Sequence, residues 1–151
     1  MTNFNWEKDK KLIRVVVAGG FDPFHIGHLR HIIEARELGD ELIVILARDD
    51  QLKHKKGYSF MPYLERKEIL EHIKEIDKVI ENRDIIGTIC AETLKYLKPD
   101  IFAKGGDRIE YTMPQEEIDI CQKYNIKIQY GVGKQLSSSS LLVKRAMERI
   151  S

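Results

Sequence analysis

No charge of either sign dominates this chain: 25 lysines and arginines face 24 aspartates and glutamates over 151 residues. That balance argues against a nucleic-acid binder working through bulk electrostatics and leaves only local basic clusters to consider. Cysteine is scarce too. Cys90 and Cys121 lie far apart in apolar helical contexts, without the spacing of a zinc site or a redox pair, so two buried free thiols in a reducing compartment are expected. No apolar run reaches the length of a membrane span or a secretory leader. The expectation is a cytoplasmic protein with neither a membrane nor a nucleic-acid partner. Its length and its 42% apolar share suit one domain around a single core.

Residues 1–11 show no clear period and read as an N-terminal arm, with Trp6 free to pack on the body or on a partner subunit. From residue 12 to 151 short β-branched runs alternate with helical periods, and this stretch reads as one domain. Strands are expected over 12–18, 41–47, 78–80, 100–103 and 126–130, and helices over 28–38, 62–76, 89–97, 115–124 and 141–150. Residues 48–61 read as a polar, lysine-rich loop. Alternation of this kind implies a doubly wound, Rossmann-like α/β domain: a five-stranded parallel sheet with helices on both faces, joined by right-handed crossovers. Ligands in such sheets bind beyond the carboxyl ends of the strands. The first and fourth strands run into Gly19-Gly20 and Lys104-Gly105-Gly106-Asp107, which places both turns on that edge.

The most informative segment is Gly19-Gly20-Phe21-Asp22-Pro23-Phe24-His25-Ile26-Gly27-His28. It joins a buried strand to a helix start through two glycines, whose backbone can take a positive φ and approach a ligand closely. Free amides and the helix dipole at such a junction favour a phosphate. Two imidazoles three residues apart add hydrogen-bond donors of adjustable charge. Gly19, Gly20 and Phe21 are therefore candidates for nucleotide contact, and His25 and His28 for catalysis. Asp22 suits turn closure better than a hydrated Mg²⁺. His31, His54 and His72 are expected on the surface or in packing.

Gly19-Gly20-Phe21-Asp22 followed by His25-Ile26-Gly27-His28 resembles the signature of the HxGH nucleotidyltransferase superfamily. This resemblance implies that His25 and His28 contact the triphosphate of a nucleotide and stabilise the transition state of nucleotidyl transfer. It implies Mg²⁺ held through the nucleotide phosphates rather than by protein ligands. Leu136-Ser137-Ser138-Ser139-Ser140 is similar to the family's hydroxyl motif, in which serine hydroxyls (here Ser137, Ser138 and Ser139) and helix amides grip the β- and γ-phosphates. Hydroxyl residues suit that place because they cap a helix and leave its first N–H groups to an anion. The cytidylyltransferases carry an arginine just before the hydroxyls. Here the residues are Val132-Gly133-Lys134-Gln135, and Lys134 supplies the charge without the bidentate fork.

Lys104-Gly105-Gly106-Asp107 is similar to a segment of the ADP-heptose type of adenylyltransferase, which makes Lys104, Gly105 and Asp107 nucleotide-binding candidates. The same residues would also serve as a plain strand-to-loop turn. Lys53, Lys56 and Arg66 match basic positions that meet the acceptor's phosphate in cytidylyltransferases, although a single lysine there would serve equally as a solvated charge. Arg48-Asp49-Asp50 resembles the archaeal FAD-synthase type. The expected activity is transfer of CMP from CTP to a small phosphorylated alcohol, with pyrophosphate released. The alternative is adenylyl transfer from ATP to FMN or a sugar phosphate. A non-catalytic nucleotide sensor and a flavodoxin-like interaction domain are the readings of other classes. Family likeness adds a homodimer, with the apolar stretch Phe60–Leu64 as its face.

Overall fold

The computed structural model describes residues 11–85, 89–105, 113–133 and 139–150. Trp6 and all but the last residue of the expected arm, together with Asp107, Lys134, Ser137 and Ser138, lie outside them.

Five parallel strands, β1 (Arg14–Gly19), β2 (Glu41–Leu46), β3 (Lys78–Glu81), β4 (Ile101–Ala103) and β5 (Lys127–Gln129), form one sheet in the order β3-β2-β1-β4-β5. Among the described residues six helices accompany them: α1 (Ile26–Arg36), α2 (Asp49–Lys56), α3 (Tyr63–Glu71), α4 (Ala91–Leu97), α5 (Gln115–Lys123) and α6 (Ser139–Ile150). The order reverses at β1, so the crevice between β1 and β4 is the switch point where ligands enter folds of this kind.

Alternation along the strands divides the core in two. Val15, Val17, Leu42, Val44 and Leu46 point to the face covered by Ile32 and Ala35 of α1 and Leu70 of α3. Val16, Ile43, Ile45 and Phe102 point to the other, against Cys90, Leu94 of α4 and Cys121 of α5. This is the two-residue period of a strand buried on both sides. Both cysteines are free and buried. Burial and the neighbouring Glu117 push the Cys90 thiol well above its usual range, and Cys121 is pushed up to about 11 by the same causes. Neither is a reactive thiolate. Among the described residues no helix is long and apolar enough to cross a membrane.

One element departs from expectation. Residues 49–56 form a helix, α2, where a loop was expected. Its apolar content is too low to display a helical period, since only Gln51 and Leu52 are buried. Polar signals make it a helix instead. Asp49 and Asp50 occupy the first turn and lysines the last, complementing the dipole. The Gln51 side chain accepts from the Arg48 amide, and Gly57 closes the end at φ +84°.

The glycine turn after β1 also differs in detail. The left-handed residue is Phe21, at φ +50°, and neither Gly19 nor Gly20 has a positive φ. Gly20 is needed for space: a Cβ there would stand 2.6 Å from Leu52 Cδ2. The turn thus lies directly on α2.

Arg66 carries that packing. Its side chain is fully buried, and its guanidinium donates to the carbonyls of Met61 (2.8 Å), Gly20 (2.9 Å) and Ala47 (2.7 Å) and to Asp49 Oδ1 (2.7 Å). It binds the ends of β1 and β2 to the start of α2. The structure thus gives Arg66 an interior, load-sharing position in which four of its five N–H donors serve the fold, and the acceptor contact expected of it is left as a proposal. Replacing it removes donors from three carbonyls at once, so Arg66→Met is expected to lose about 3 kcal/mol or more of stability. Denaturant midpoints of the variant and the parent check this. Unchanged stability combined with a raised acceptor KM would restore the acceptor role.

Candidate active site

The histidine motif is a helix cap. His25 is the N-cap of α1, in extended backbone conformation, and its Nδ1 accepts from the Gly27 amide at 3.0 Å. Three residues on, His28 Nδ1 accepts from the His25 amide at 3.2 Å. This is the reciprocal capping box usually made by Ser or Thr with Glu, built here from two imidazoles. The spacing of the motif is the spacing of N-cap and N3.

The cap decides the chemistry of the rings. An Nδ1 that accepts a hydrogen bond carries no proton, so each neutral ring bears its hydrogen on Nε2. Neither Nε2 has a hydrogen-bond partner among the described residues, and neither is a buried orphan. The rings stack at 3.8 Å, and His28 also meets Phe21 edge-on at 4.9 Å and Phe24 at 5.6 Å. Burial lowers the pKa of His25. That of His28 falls to about 3, first through burial and then through His25, His31 and Lys56. Protonating either ring would also place a hydrogen on Nδ1 and break a cap bond. The site therefore presents two fixed, neutral N–H donors at a helix N-terminus, an arrangement that favours phosphate oxygens.

Asp22 orders the neighbouring loop, as its type suggested. Its buried carboxylate accepts from the amides of Phe60 (2.7 Å) and Met61 (2.6 Å) and pairs with Lys56 Nζ at 3.3 Å. Lys56 also donates to the Asp22 carbonyl at 2.7 Å, so its charge stands beside the histidines. Lys53 is exposed on α2 and makes no such contact. Phe60 and Leu64 are exposed. Among the described residues no group of three or more His, Cys, Asp or Glu is placed to hold a metal ion, so the residues in view do not form a protein-held Mg²⁺ site.

Lys104 and Gly105 follow β4 on the same edge, and the Lys104 ammonium lies 4.5 Å from the Phe102 ring centre. Space beside Gly105 is open. Ser139 opens α6. Gly19, Gly20, Phe21, His25, His28, Lys56 and Lys104 thus share the carboxyl edge of the sheet, with Lys53 outside the group and Arg66 beneath it.

Sequence reasoning missed a polar network at the end of β3. The Asp84 carboxylate accepts from the amides of Glu92 (3.0 Å) and Thr93 (3.1 Å), capping α4. Arg48 and Gln51 donate to the Asp84 carbonyl at 2.9 and 2.8 Å. Its signal was an Asn82-x-Asp84 pair ahead of a helix, a capping pattern hidden by the gap between cap and helix. His31, expected on the surface or in packing, is half-buried and bonded to the Val132 carbonyl at 2.5 Å.

Residues 16–145 match the family model described as Cytidylyltransferase-like. The chain belongs to this family. It is 35% identical over 146 residues to the FAD synthase of Thermococcus sibiricus, covering 92% of this chain and 95% of that one. Identity to the FAD synthase of Pyrococcus abyssi is 45% over 97 residues, 64% of each chain. Among solved structures it resembles the lipopolysaccharide core biosynthesis protein of Thermoplasma volcanium, with TM-score 0.67 and 26% identity, covering 83% of this chain and all of that one. The nucleotidyltransferase likeness and the doubly wound fold are borne out.

A depressed histidine pKa has a stability consequence of definite sign. His28 titrates near 6.5 when unfolded and near 3 when folded, so the unfolded chain binds more protons between those values. The stability it contributes is complete above pH 6.5 and is lost as pH falls toward 3. Between pH 6.5 and 5, where few carboxylates titrate, unfolding free energy is expected to fall with acid, and less steeply in His28→Gln. Equal slopes in chemical denaturation of the two proteins would contradict the neutral, buried ring.

Proposed function

We propose that this chain transfers an adenylyl group from ATP to FMN, producing FAD and pyrophosphate. The observation that carries the reading is the near full-length similarity to a protein named FAD synthase. The first expectation, CMP transfer from CTP, has support only at the level of the family description.

The reaction suits the site. A phosphate oxygen of FMN attacks the α-phosphorus of ATP and forms a P–O–P bond. The bond from the α-phosphorus to the β-bridging oxygen breaks, its electrons leaving with pyrophosphate. The attacking oxygen is already anionic, so no protein base is required. What is required is orientation and donors aimed at developing charge. His25 and His28 offer two neutral N–H donors, and Lys56 supplies positive charge beside them. Lys104 and Gly105 would line the nucleotide from β4, with Asp107 and Ser137, Ser138 and Ser139 completing its contacts. Mg²⁺, arriving on the triphosphate, would neutralise phosphate charge.

Pyrophosphate release tests the donor and acceptor together, with ATP and CTP each offered FMN, glycerol phosphate and a sugar phosphate. Release with ATP and FMN alone is expected. Release only with CTP and a phosphorylated alcohol would replace this reading with the cytidylyl one, and silence in all pairs would reject both. In the active pair, folded His28→Ala is expected to lose about 10²–10³-fold in kcat, the loss typical of removing one transition-state donor. A near-normal kcat would remove His28 from catalysis.

A further inference from the structure

We propose that His31 and Glu34 are positioning residues: a two-point latch that holds the turn after β5, and through it Lys104, at a fixed distance from the catalytic histidines. The inference rests on reading this cleft as the nucleotide site.

His31 follows His28 by three residues, one turn further along α1, and its ring bonds the Val132 carbonyl at 2.5 Å. A carbonyl only accepts, so this ring carries its hydrogen on Nδ1, the opposite tautomer from the two histidines before it. Three residues on again, Glu34 Oε2 accepts from the Gly133 amide at 2.5 Å. Consecutive groups of one turn, a carbonyl and an amide, are thus held by consecutive turns of the helix that carries the histidine cap.

The contact is close as well as bonded. Gly133 has φ +86°, and a Cβ there would stand 2.7 Å from His31 Cα. Backbone meets backbone at this point, and neither side can yield by a side-chain rotation. On its other side the turn is tied to the nucleotide edge. The Val132 amide donates to the Lys104 carbonyl at 2.9 Å, and the Lys104 amide donates to Gln129 at 2.8 Å. The path His28, His31, Val132, Lys104 is therefore continuous, running through one helix turn and two hydrogen bonds. It crosses the crevice between β1 and β4, where no strand pairing reaches beyond Val16–Phe102. The Lys104 charge is felt at His31, in keeping with a short path.

The test separates a latch from simple packing. His31→Asn keeps a donor near the position of Nδ1, whereas His31→Leu keeps bulk alone; Glu34→Gln keeps an acceptor. With ATP and FMN, His31→Leu is expected to raise the nucleotide KM and lower kcat, for a combined loss in kcat/KM of about tenfold or more, the worth of one lost polar contact. His31→Asn and Glu34→Gln are expected to stay within about threefold of the parent. Amide exchange at Gly133 should quicken in Glu34→Leu and remain slow in Glu34→Gln. Equal losses in the Leu and Asn variants of His31, or a lower Tm in His31→Leu with kcat and KM unchanged, would overturn the latch. If the parent turns over no nucleotide and acceptor pair, the proposed function is what fails. The latch is then judged on ATP and CTP affinity by calorimetry, with the same order among variants required. Absence of any nucleotide binding to the parent overturns both.

Discussion

The reciprocal bond between His25 and His28 is the constraint on which the rest of the site depends. One pair of hydrogen bonds starts α1, fixes both rings in a stack, selects one tautomer and leaves Nε2 for other partners. Helix capping and the presentation of two neutral N–H donors are thus one physical event. A serine and glutamate would cap as well, but they would place an acceptor and a negative charge where the proposed reaction needs a phosphate. Imidazole satisfies the helix with a lone pair and still has an N–H to offer, which no other uncharged side chain in the motif provides.

Around this pair the fold spends its buried charges on rigidity. Arg66 ties together the ends of β1 and β2 and the first turn of α2, and Asp22 holds the loop before α3. Both side chains are buried beside the turn after β1, and both act chiefly on backbone groups. A carboxylate so near the proposed phosphate position is tolerable because two amides and Lys56 share its charge. Transfer between two phosphates rewards this kind of stiffness, since the chemistry needs aligned reactants and prepaid electrostatics more than proton exchange.

Much of this architecture was legible in the chain because the central strands β1 and β2, buried on both faces, stand out as apolar runs, and the flanking strands as short β-branched segments between helical periods. All five strands, and five of the six helices, follow from that pattern and from glycine and proline punctuation. The helix α2 did not, because it is held by caps and dipole complementarity with only Leu52 as its apolar anchor. The histidine motif was legible as a strand-to-helix junction, yet its capping role was not, since histidine is an unusual N-cap residue. The structural role of Arg66 was hidden for a related reason. Sequence shows an arginine in the helix after the second strand, but only the folded chain brings the carbonyls of Met61, Gly20 and Ala47 within reach of its guanidinium. His31 and Glu34 gave no signal beyond a helical spacing, because their partners lie about a hundred residues away in the chain.

The claim beneath all of this is that the cap holds both rings neutral with the hydrogen on Nε2. Nitrogen-15 NMR of the histidine rings reads the tautomer and the titration of each directly, in the free protein, from pH 8 to pH 5. The account predicts unprotonated Nδ1 and protonated Nε2 for His25 and His28 near neutral pH, His28 unchanged down to pH 5, and the reverse tautomer for His31. An Nδ1-bound hydrogen on His25 or His28 near neutral pH, or an imidazolium at His28 near pH 6, would contradict it.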